Sequence, residues 1–99
     1  MKDSLNVAIA GATGFVGIEL TKILLKHKKV KILSLCATKS VGKNIYIFDK
    51  KLKNKNLPKI SLLKDLDWNK INIIFTALPN GEAQKIAKKI PLNVKLIDL

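Results

Sequence analysis

Several residue types are scarce or absent in this 99-residue sequence. It has one cysteine, three prolines and five aromatic residues, and none of its 19 basic residues is arginine. The single Cys36 excludes an internal disulfide and fits a reducing compartment, so we expect a cytoplasmic protein. No apolar run approaches the roughly 20 residues that a membrane span needs. The stretch Leu5–Ala10 is too short for the core of a signal peptide, so we expect no membrane partner.

Acidic residues are also few, and the formal net charge is +12. Such a charge attracts polyanions, so nucleic-acid binding has to be weighed. The lysines are scattered, apart from modest clusters at 26–31 and 50–55, and the aromatic residues lie mostly among apolar ones. Arginine, which reads guanine edges and phosphates in bidentate fashion, is missing. Joint enrichment in lysine, asparagine and isoleucine looks like drift toward A/T-rich codons. We therefore expect a solvated lysine surface and no nucleic-acid partner. The alternatives are a functional nucleic-acid patch and the steering of a small anionic ligand.

What the sequence does contain is an alternation of apolar strands with helical segments. Period and length predict helices at 14–27 and 81–90, and strands at Leu5–Ala10, Val30–Cys36, 71–78 and 94–99, with a small edge strand at 60–63. The rest of 45–70 is unclear. On the first helix we expect an apolar face formed by Val16, Leu20, Ile23, Leu24 and His27. The alternation predicts an α/β fold, a Rossmann-like doubly wound parallel sheet that is incomplete at its C-terminal end.

A glycine-rich motif joins the first strand to the first helix. It reads Gly11-Ala12-Thr13-Gly14-Phe15-Val16-Gly17, a G-x-x-G-x-x-G variant of the dinucleotide-binding fingerprint. Gly11 permits the turn, Gly14 leaves room for a pyrophosphate, and Gly17 allows close helix packing. The helix N-terminus offers free N–H groups to phosphate, and the Thr13 hydroxyl adds a donor or a cap. The alternative is a glycine turn that binds no ligand.

Two further loops follow strands at the same predicted edge of the sheet. NAD-binding proteins usually carry an acid at the end of the second strand, but here Thr38, Lys39 and Ser40 follow it, which favours a 2′-phosphate and hence NADP over NAD. The alternative is that Lys39 is one more surface lysine. Leu78-Pro79-Asn80-Gly81 follows the central strand and could line the nicotinamide end of the cofactor, or form an ordinary turn. No metal-ligand spacing and no catalytic residue is evident.

These motifs resemble the N-terminal segment of N-acetyl-gamma-glutamyl-phosphate reductase, in the semialdehyde dehydrogenase superfamily. The similarity runs through VAIAGATGFVGIELTKILLKHKKVKI, the loop with Thr38-Lys39-Ser40, and IIFTALPNGEA, where the family usually has histidine in place of Asn80. The resemblance implies an NADP(H)-binding domain at 1–99, partial, with the catalytic and substrate domain absent. It also implies a homo-oligomeric oxidoreductase of arginine biosynthesis whose substrate is N-acetylglutamyl phosphate.

In that family a cysteine thiolate attacks the acyl phosphate and NADPH then reduces the thioester to the semialdehyde. The family's catalytic cysteine and histidine lie beyond this chain, and neither Cys36 nor His27 matches them. We therefore expect these 99 residues to be inactive by themselves. An NADP-binding domain like that of aspartate-semialdehyde dehydrogenase, and a stand-alone NADP-binding module without catalysis, are the alternatives.

Overall fold

The computed structural model describes residues 4–79 and 81–99, and five parallel strands form one sheet in it. The strands are β1 (Leu5–Ala10), β2 (Val30–Cys36), β3 (Ile60–Ser61), β4 (Ile73–Thr76) and β5 (Lys95–Asp98). Their order across the sheet is β3-β2-β1-β4-β5. The chain builds one half of the sheet outward from β1 and then crosses to β4 on its other side, so a switch point lies between β1 and β4. This arrangement confirms the predicted Rossmann-like fold.

Two α-helices, α1 (Phe15–Leu25) and α2 (Glu82–Ala87), occur in the described part of the chain. Neither is long and apolar enough to cross a membrane. The unclear segment 45–70 folds around β3 into four single-turn 3-10 helices, at Ile45–Ile47, Lys50–Leu52, Leu63–Asp65 and Trp68–Lys70. The strand predicted at 71–78 and the helix predicted at 81–90 are both shorter than expected.

The sheet is covered on both faces because neighbouring residues of β1 point to opposite sides. Val7 and Ile9 are fully buried on the face that α1 covers, where they pack with Ile18 and Leu24. Ala8 and Ala10 belong to the opposite core, which contains Ile71, Ile74 and Val94 and is flanked by the half-buried Trp68. Because β1 is the central strand and is buried on both faces, its carboxyl end and the glycine turn that follows are held in a fixed place.

The apolar face of α1 differs from the prediction. The buried residues are Gly17, Ile18, Thr21 and Leu24. Val16 and Ile23 are exposed, as is His27 beyond the helix, while Leu20 is half-buried. The face against the sheet contains the small Gly17 and the polar Thr21, whose hydroxyl donates to the Gly17 carbonyl oxygen at 2.8 Å. A search for large apolar residues at helical spacing therefore selects the side of the helix next to the face that packs on the sheet.

Candidate functional site

The turn that leaves β1 depends on Gly11. Its φ is +81°, and a Cβ there would lie 2.3 Å from the carbonyl oxygen of Ala77. The backbone amides of Gly11 and Ala12 both donate to the carbonyl oxygen of Cys36, each at 3.0 Å. The turn is therefore fixed between the ends of β2 and β4, and only glycine fits at position 11.

The other two glycines of the motif differ from each other. A Cβ on Gly17 would lie 2.3 Å from the Gly11 carbonyl oxygen and 2.9 Å from the Ala12 Cα. Gly17 thus lets the helix pack against the turn itself. A Cβ on Gly14 would meet only the Gly11 carbonyl oxygen, at an ordinary 3.7 Å. Packing within the described chain explains glycine at position 17 and does not explain it at position 14.

The start of α1 presents unpaired amide donors. Within the described residues, the N–H groups of Thr13, Phe15, Val16 and Gly17 have no backbone acceptor, whereas Gly14 donates to the Gly11 carbonyl oxygen at 3.2 Å. No side chain caps the helix, and its first turn contains no acidic residue. The positive end of the helix dipole is therefore not offset by a carboxylate in its first turn, and these groups suit an external anion.

A cavity of about 300 Å³ lies at the carboxyl ends of the strands beside this turn. Its walls come from the segments that follow β1, β2, β3 and β4 and from α2. The lining residues are Ala10, Gly11, Thr13, Cys36, Ala37, Thr38, Leu62, Leu63, Leu78, Glu82 and Ile86. We call it the cleft. Its position at the switch point is where open α/β sheets bind their ligands.

Four of the predicted site residues line the cleft, namely Gly11, Thr13, Thr38 and Leu78. The other described site residues do not line the cleft. Ala12 is buried under the turn, and Phe15, Val16 and Lys39 are exposed. The rest lie in the adjoining turns and helix, namely Gly14, Gly17, Ser40, Pro79 and Gly81. Gly81 begins α2 with a φ of +86°. Asn80 lies outside the described residues.

The loop after β2 is bound to β3 by three backbone hydrogen bonds. Ala37 donates to Ser61, Gly42 donates to Ile60, and Ile60 donates to Lys43, at 3.1, 2.7 and 2.9 Å respectively. Ser40 adopts a left-handed φ of +67° between these anchors. Lys39 therefore stands on a well-anchored loop, and its side chain is exposed.

Sequence reasoning missed the cleft residues that come from two elements. Leu62 and Leu63 follow β3, while Glu82 and Ile86 lie on α2. The rule that the carboxyl ends of parallel strands meet at one edge would have found the first pair, because 60–63 was predicted as a strand. Glu82 also pairs with Lys85 at 3.4 Å, so the cleft has an acidic group on its α2 side.

Cys36 lines the cleft but is poorly suited to be a nucleophile. It is 2% exposed, and burial raises the pKa of its thiol to about 11. Its Sγ lies 3.9 Å from the Ser61 Oγ. At neutral pH the group is a protonated, buried thiol at the end of β2. No group of three or more possible metal-ligating side chains occurs among residues 4–79 and 81–99.

Comparisons with known proteins agree with this geometry. The model of the family described as "Semialdehyde dehydrogenase, NAD binding domain" matches residues 6–99. The chain is 43% identical over 98 residues to an N-acetyl-gamma-glutamyl-phosphate reductase of Ehrlichia ruminantium, covering 98% of the chain and 28% of that protein. It is 34% identical over 96 residues to the protein of that name from Paracoccus denitrificans, covering 97% of the chain and 28% of that protein.

Solved structures show the same fold. Aspartate semialdehyde dehydrogenase from Candida albicans, solved with NADP, superimposes with a TM-score of 0.72 at 20% identity, over 96% of this chain and 29% of the other. The Vibrio cholerae aspartate semialdehyde dehydrogenase II superimposes with a TM-score of 0.72 at 26% identity, over 96% of this chain and 30% of the other. The chain thus spans less than a third of the length of each of these proteins. It belongs to the family of semialdehyde dehydrogenase NAD-binding domains.

Proposed function

We propose that this chain is the NADP(H)-binding portion of an N-acetyl-gamma-glutamyl-phosphate reductase. The observation that carries the cofactor part is the set of four unpaired amides at the start of α1, next to a glycine that the chain's own packing does not require. The whole-sequence similarity to reductases of that name supports the enzyme. The partial domain spans 1–99, and the catalytic and substrate domain would follow it.

The pyrophosphate of the cofactor would lie on the turn 11–17. The amides of Thr13, Phe15, Val16 and Gly17 provide donors, and the open space beside Gly14 admits the phosphate oxygens. Phe15 and Val16 contribute through their backbone, because their side chains are 80% and 51% exposed. Gly11 and Ala12 hold the turn in place through the Cys36 carbonyl.

The 2′-phosphate would be held by the loop after β2. Lys39 supplies the cation, and Thr38 and Ser40 supply hydroxyl groups. No acidic residue occurs in 37–43. The loop therefore lacks the carboxylate that accepts a hydrogen bond from the free 2′-hydroxyl of NAD. We therefore propose NADP(H) over NAD(H) as the cofactor.

The nicotinamide end would lie near Leu78, Pro79, Asn80 and Gly81, after strand β4, which lies beside the central β1. Leu78 already lines the cleft. The turn at Gly81 starts α2 at the same edge of the sheet. The cofactor, when bound, supplies the hydride; these residues would orient the ring and limit the access of water to it.

The complete enzyme would reduce N-acetylglutamyl phosphate to its semialdehyde in arginine biosynthesis, as a cytoplasmic homo-oligomer without a nucleic-acid or membrane partner. The described residues provide no thiol fit for the covalent step, since Cys36 is buried and protonated. We therefore place the catalytic cysteine and histidine in the part of the enzyme that corresponds to the remaining two-thirds of its relatives. This portion alone would be inactive.

Calorimetry with NADPH and NADH tests the cofactor proposal on the 99-residue chain. We expect saturable binding of NADPH and weaker binding of NADH. Lys39→Glu should weaken NADPH binding about tenfold and NADH binding by less than about twofold, because only NADPH carries the 2′-phosphate. Lys59→Glu, an equal charge change before the amino end of β3, is the matched control. Absence of binding by both nucleotides, or equal losses for both in Lys39→Glu, would contradict the proposal.

The reading frame beyond Leu99 separates the reductase from its alternatives. A continuation that encodes a cysteine-bearing second domain, and turns over N-acetylglutamyl phosphate with NADPH, is the expected result. Turnover of aspartyl phosphate instead would favour an aspartate-semialdehyde dehydrogenase. A stop codon directly after Leu99, together with NADPH binding, would favour a stand-alone module.

A further inference from the structure

A second cavity, of about 490 Å³, lies between α1 and the 3-10 helix at Lys50–Leu52. It joins the two lysine clusters that are separate in the sequence, because Lys26 from the first faces the same space as Lys51 and Lys55 from the second. The complete lining is Glu19, Lys22, Leu25, Lys26, Lys51, Leu52, Lys55 and Asn56. None of these residues lines the cleft.

Asp49 holds the two walls of this cavity together. Its Oδ1 accepts a hydrogen bond from the Lys51 amide at 2.9 Å, which caps the 3-10 helix, and its Oδ2 lies 2.5 Å from the Nζ of Lys22 on α1. Leu52, at the other end of the same turn, is 2% exposed and packs into the α1-side core. The turn that carries Lys51 is thus fixed relative to α1.

The charges around the cavity are not balanced. Lys22 is paired with Asp49 and also with Glu19 at 3.0 Å, and these two hydrogen bonds raise the pKa of its ammonium group. Lys26, Lys51 and Lys55 have no carboxylate within ion-pair distance in residues 4–79 and 81–99. The group of Lys22, Glu19 and Asp49 carries a net charge of −1, so the three ammonium groups without a paired carboxylate leave these walls with a net charge of +2.

The shape of the site favours an anion of limited size. Leu25 and Leu52 add apolar wall, and a hollow with an excess of positive charge and apolar walls concentrates the electric field. Its volume lies within the range of about 300–1,000 Å³ that is typical of small-molecule sites. A long nucleic acid would instead need a continuous groove with exposed stacking groups, and no aromatic residue lines this cavity.

We propose that this cavity binds a small polyvalent anion, one that carries three or more negative charges on phosphate or carboxylate groups. Lys26, Lys51 and Lys55 would contact the anion, and the Lys22–Asp49 pair would position the two walls. The site is separate from the proposed cofactor site, so it can be occupied while a nucleotide is bound.

Inorganic tripolyphosphate is the test probe, added to the isotope-labelled 99-residue chain in 150 mM salt and followed by amide NMR shifts. We expect saturable shifts of the amides of 22–26 and 50–56, with a smaller response from 11–17. Saturating NADPH added first should block any response of 11–17 and leave the response of 22–26 and 50–56 unchanged.

The double variant Lys51→Gln, Lys55→Gln should weaken tripolyphosphate binding roughly tenfold. Lys88→Gln with Lys95→Gln removes the same charge elsewhere on the surface and should change affinity by less than about twofold. Equal weakening in both double variants would show a bulk charge effect and overturn the proposal. Amide shifts confined to 11–17 would overturn the proposal. So would a single-stranded RNA that binds more tightly than tripolyphosphate and shifts amides beside lysines over the whole surface.

Discussion

Replacing Gly17 with alanine should destabilise this domain through its backbone, because a Cβ at that position has no space. It would lie 2.3 Å from the Gly11 carbonyl oxygen and 2.9 Å from the Ala12 Cα. Both neighbours belong to the main chain of a turn that Cys36 and Ala77 already constrain, so no side chain can rotate away. The helix start and the turn must separate to admit the methyl group.

The size of the effect follows from two opposing contributions. Overpacking of this kind costs about 1–3 kcal/mol, and rigid backbone neighbours argue for about 3. Alanine recovers up to about 1 kcal/mol of helix propensity relative to glycine. We expect a net loss of about 2 kcal/mol in the free energy of unfolding. For a domain of this size that corresponds to a fall in Tm of about 8–16 °C.

Gly14→Ala is the matched comparison, since its Cβ would make only a 3.7 Å contact. The weaker N-cap is offset by the lower entropy of the unfolded chain, so stability should change by less than about 1 kcal/mol. The added methyl group would, however, stand where we place the pyrophosphate. Affinity for NADPH should therefore fall by about tenfold or more, which calorimetry measures.

Urea unfolding followed by circular dichroism checks both variants. A Gly17→Ala variant as stable as the parent chain would refute the packing argument. A Gly14→Ala variant that binds NADPH normally would refute the assignment of that glycine to the pyrophosphate. Equal destabilisation by both would show that the contrast between the two positions is wrong.

Three further predictions concern the buried residues Cys36 and Thr76. Burial raises the pKa of Cys36 from 9.0 to about 11, so the folded state holds the thiol proton more tightly than the unfolded state. The free energy of unfolding therefore falls as pH rises from 9 to 11. Over this range the parent chain should lose about 2 kcal/mol more than Cys36→Ala. Iodoacetamide at pH 7.5 should label native Cys36 about 100-fold more slowly than the urea-unfolded chain, and equal rates would contradict its burial. Thr76→Val should lower the free energy of unfolding by about 1 kcal/mol, because Thr76 is fully buried and its Oγ1 donates to the Asp98 Oδ1 at 2.7 Å. The control Ser61→Ala should have little effect. An unchanged urea midpoint in Thr76→Val would disprove the prediction.

The sheet could be predicted because its strands are continuous apolar runs. Leu5–Ala10 and Val30–Cys36 have the predicted bounds, since each run ends where glycine or polar residues begin. The small edge strand predicted at 60–63 is present as Ile60–Ser61. The rest of 45–70 could not be assigned, because single 3-10 turns are too short to show a period. Their order comes from tertiary packing, as when Ile45 and Leu52 enter the α1-side core.

The helix face shows a different limit of sequence reasoning. Thr21 is fully buried and polar, and its partner is its own helix backbone at Gly17. A scan of apolar spacing gives no weight to either residue, although both define the face of α1 that packs against the sheet.

The candidate site was predictable where it depends on backbone. Gly11 and Gly17 have the close contacts that a tight strand-to-helix turn imposes. The α2 side of the cleft was not predictable, because Glu82 and Ile86 reach it through the placement of a whole helix. The lysine-lined cavity could not be predicted either, because it forms only when Lys26 and Lys51, about 25 positions apart, are brought together by the contact of Asp49 with α1.

The central place of β1 in the sheet affects how the chain can fold during synthesis. β1 is made first, yet its pairing starts with Leu5 opposite Val30 on one side and Val7 opposite Ile73 on the other. Hydrogen bonds between Asn6 and Asn72, which are 66 residues apart, complete the second side. The apolar segment Leu5–Ala10 therefore waits until Ile73–Thr76 has been translated before both of its edges are covered. Until then an unpaired apolar edge stays exposed, which is the kind of surface that favours aggregation.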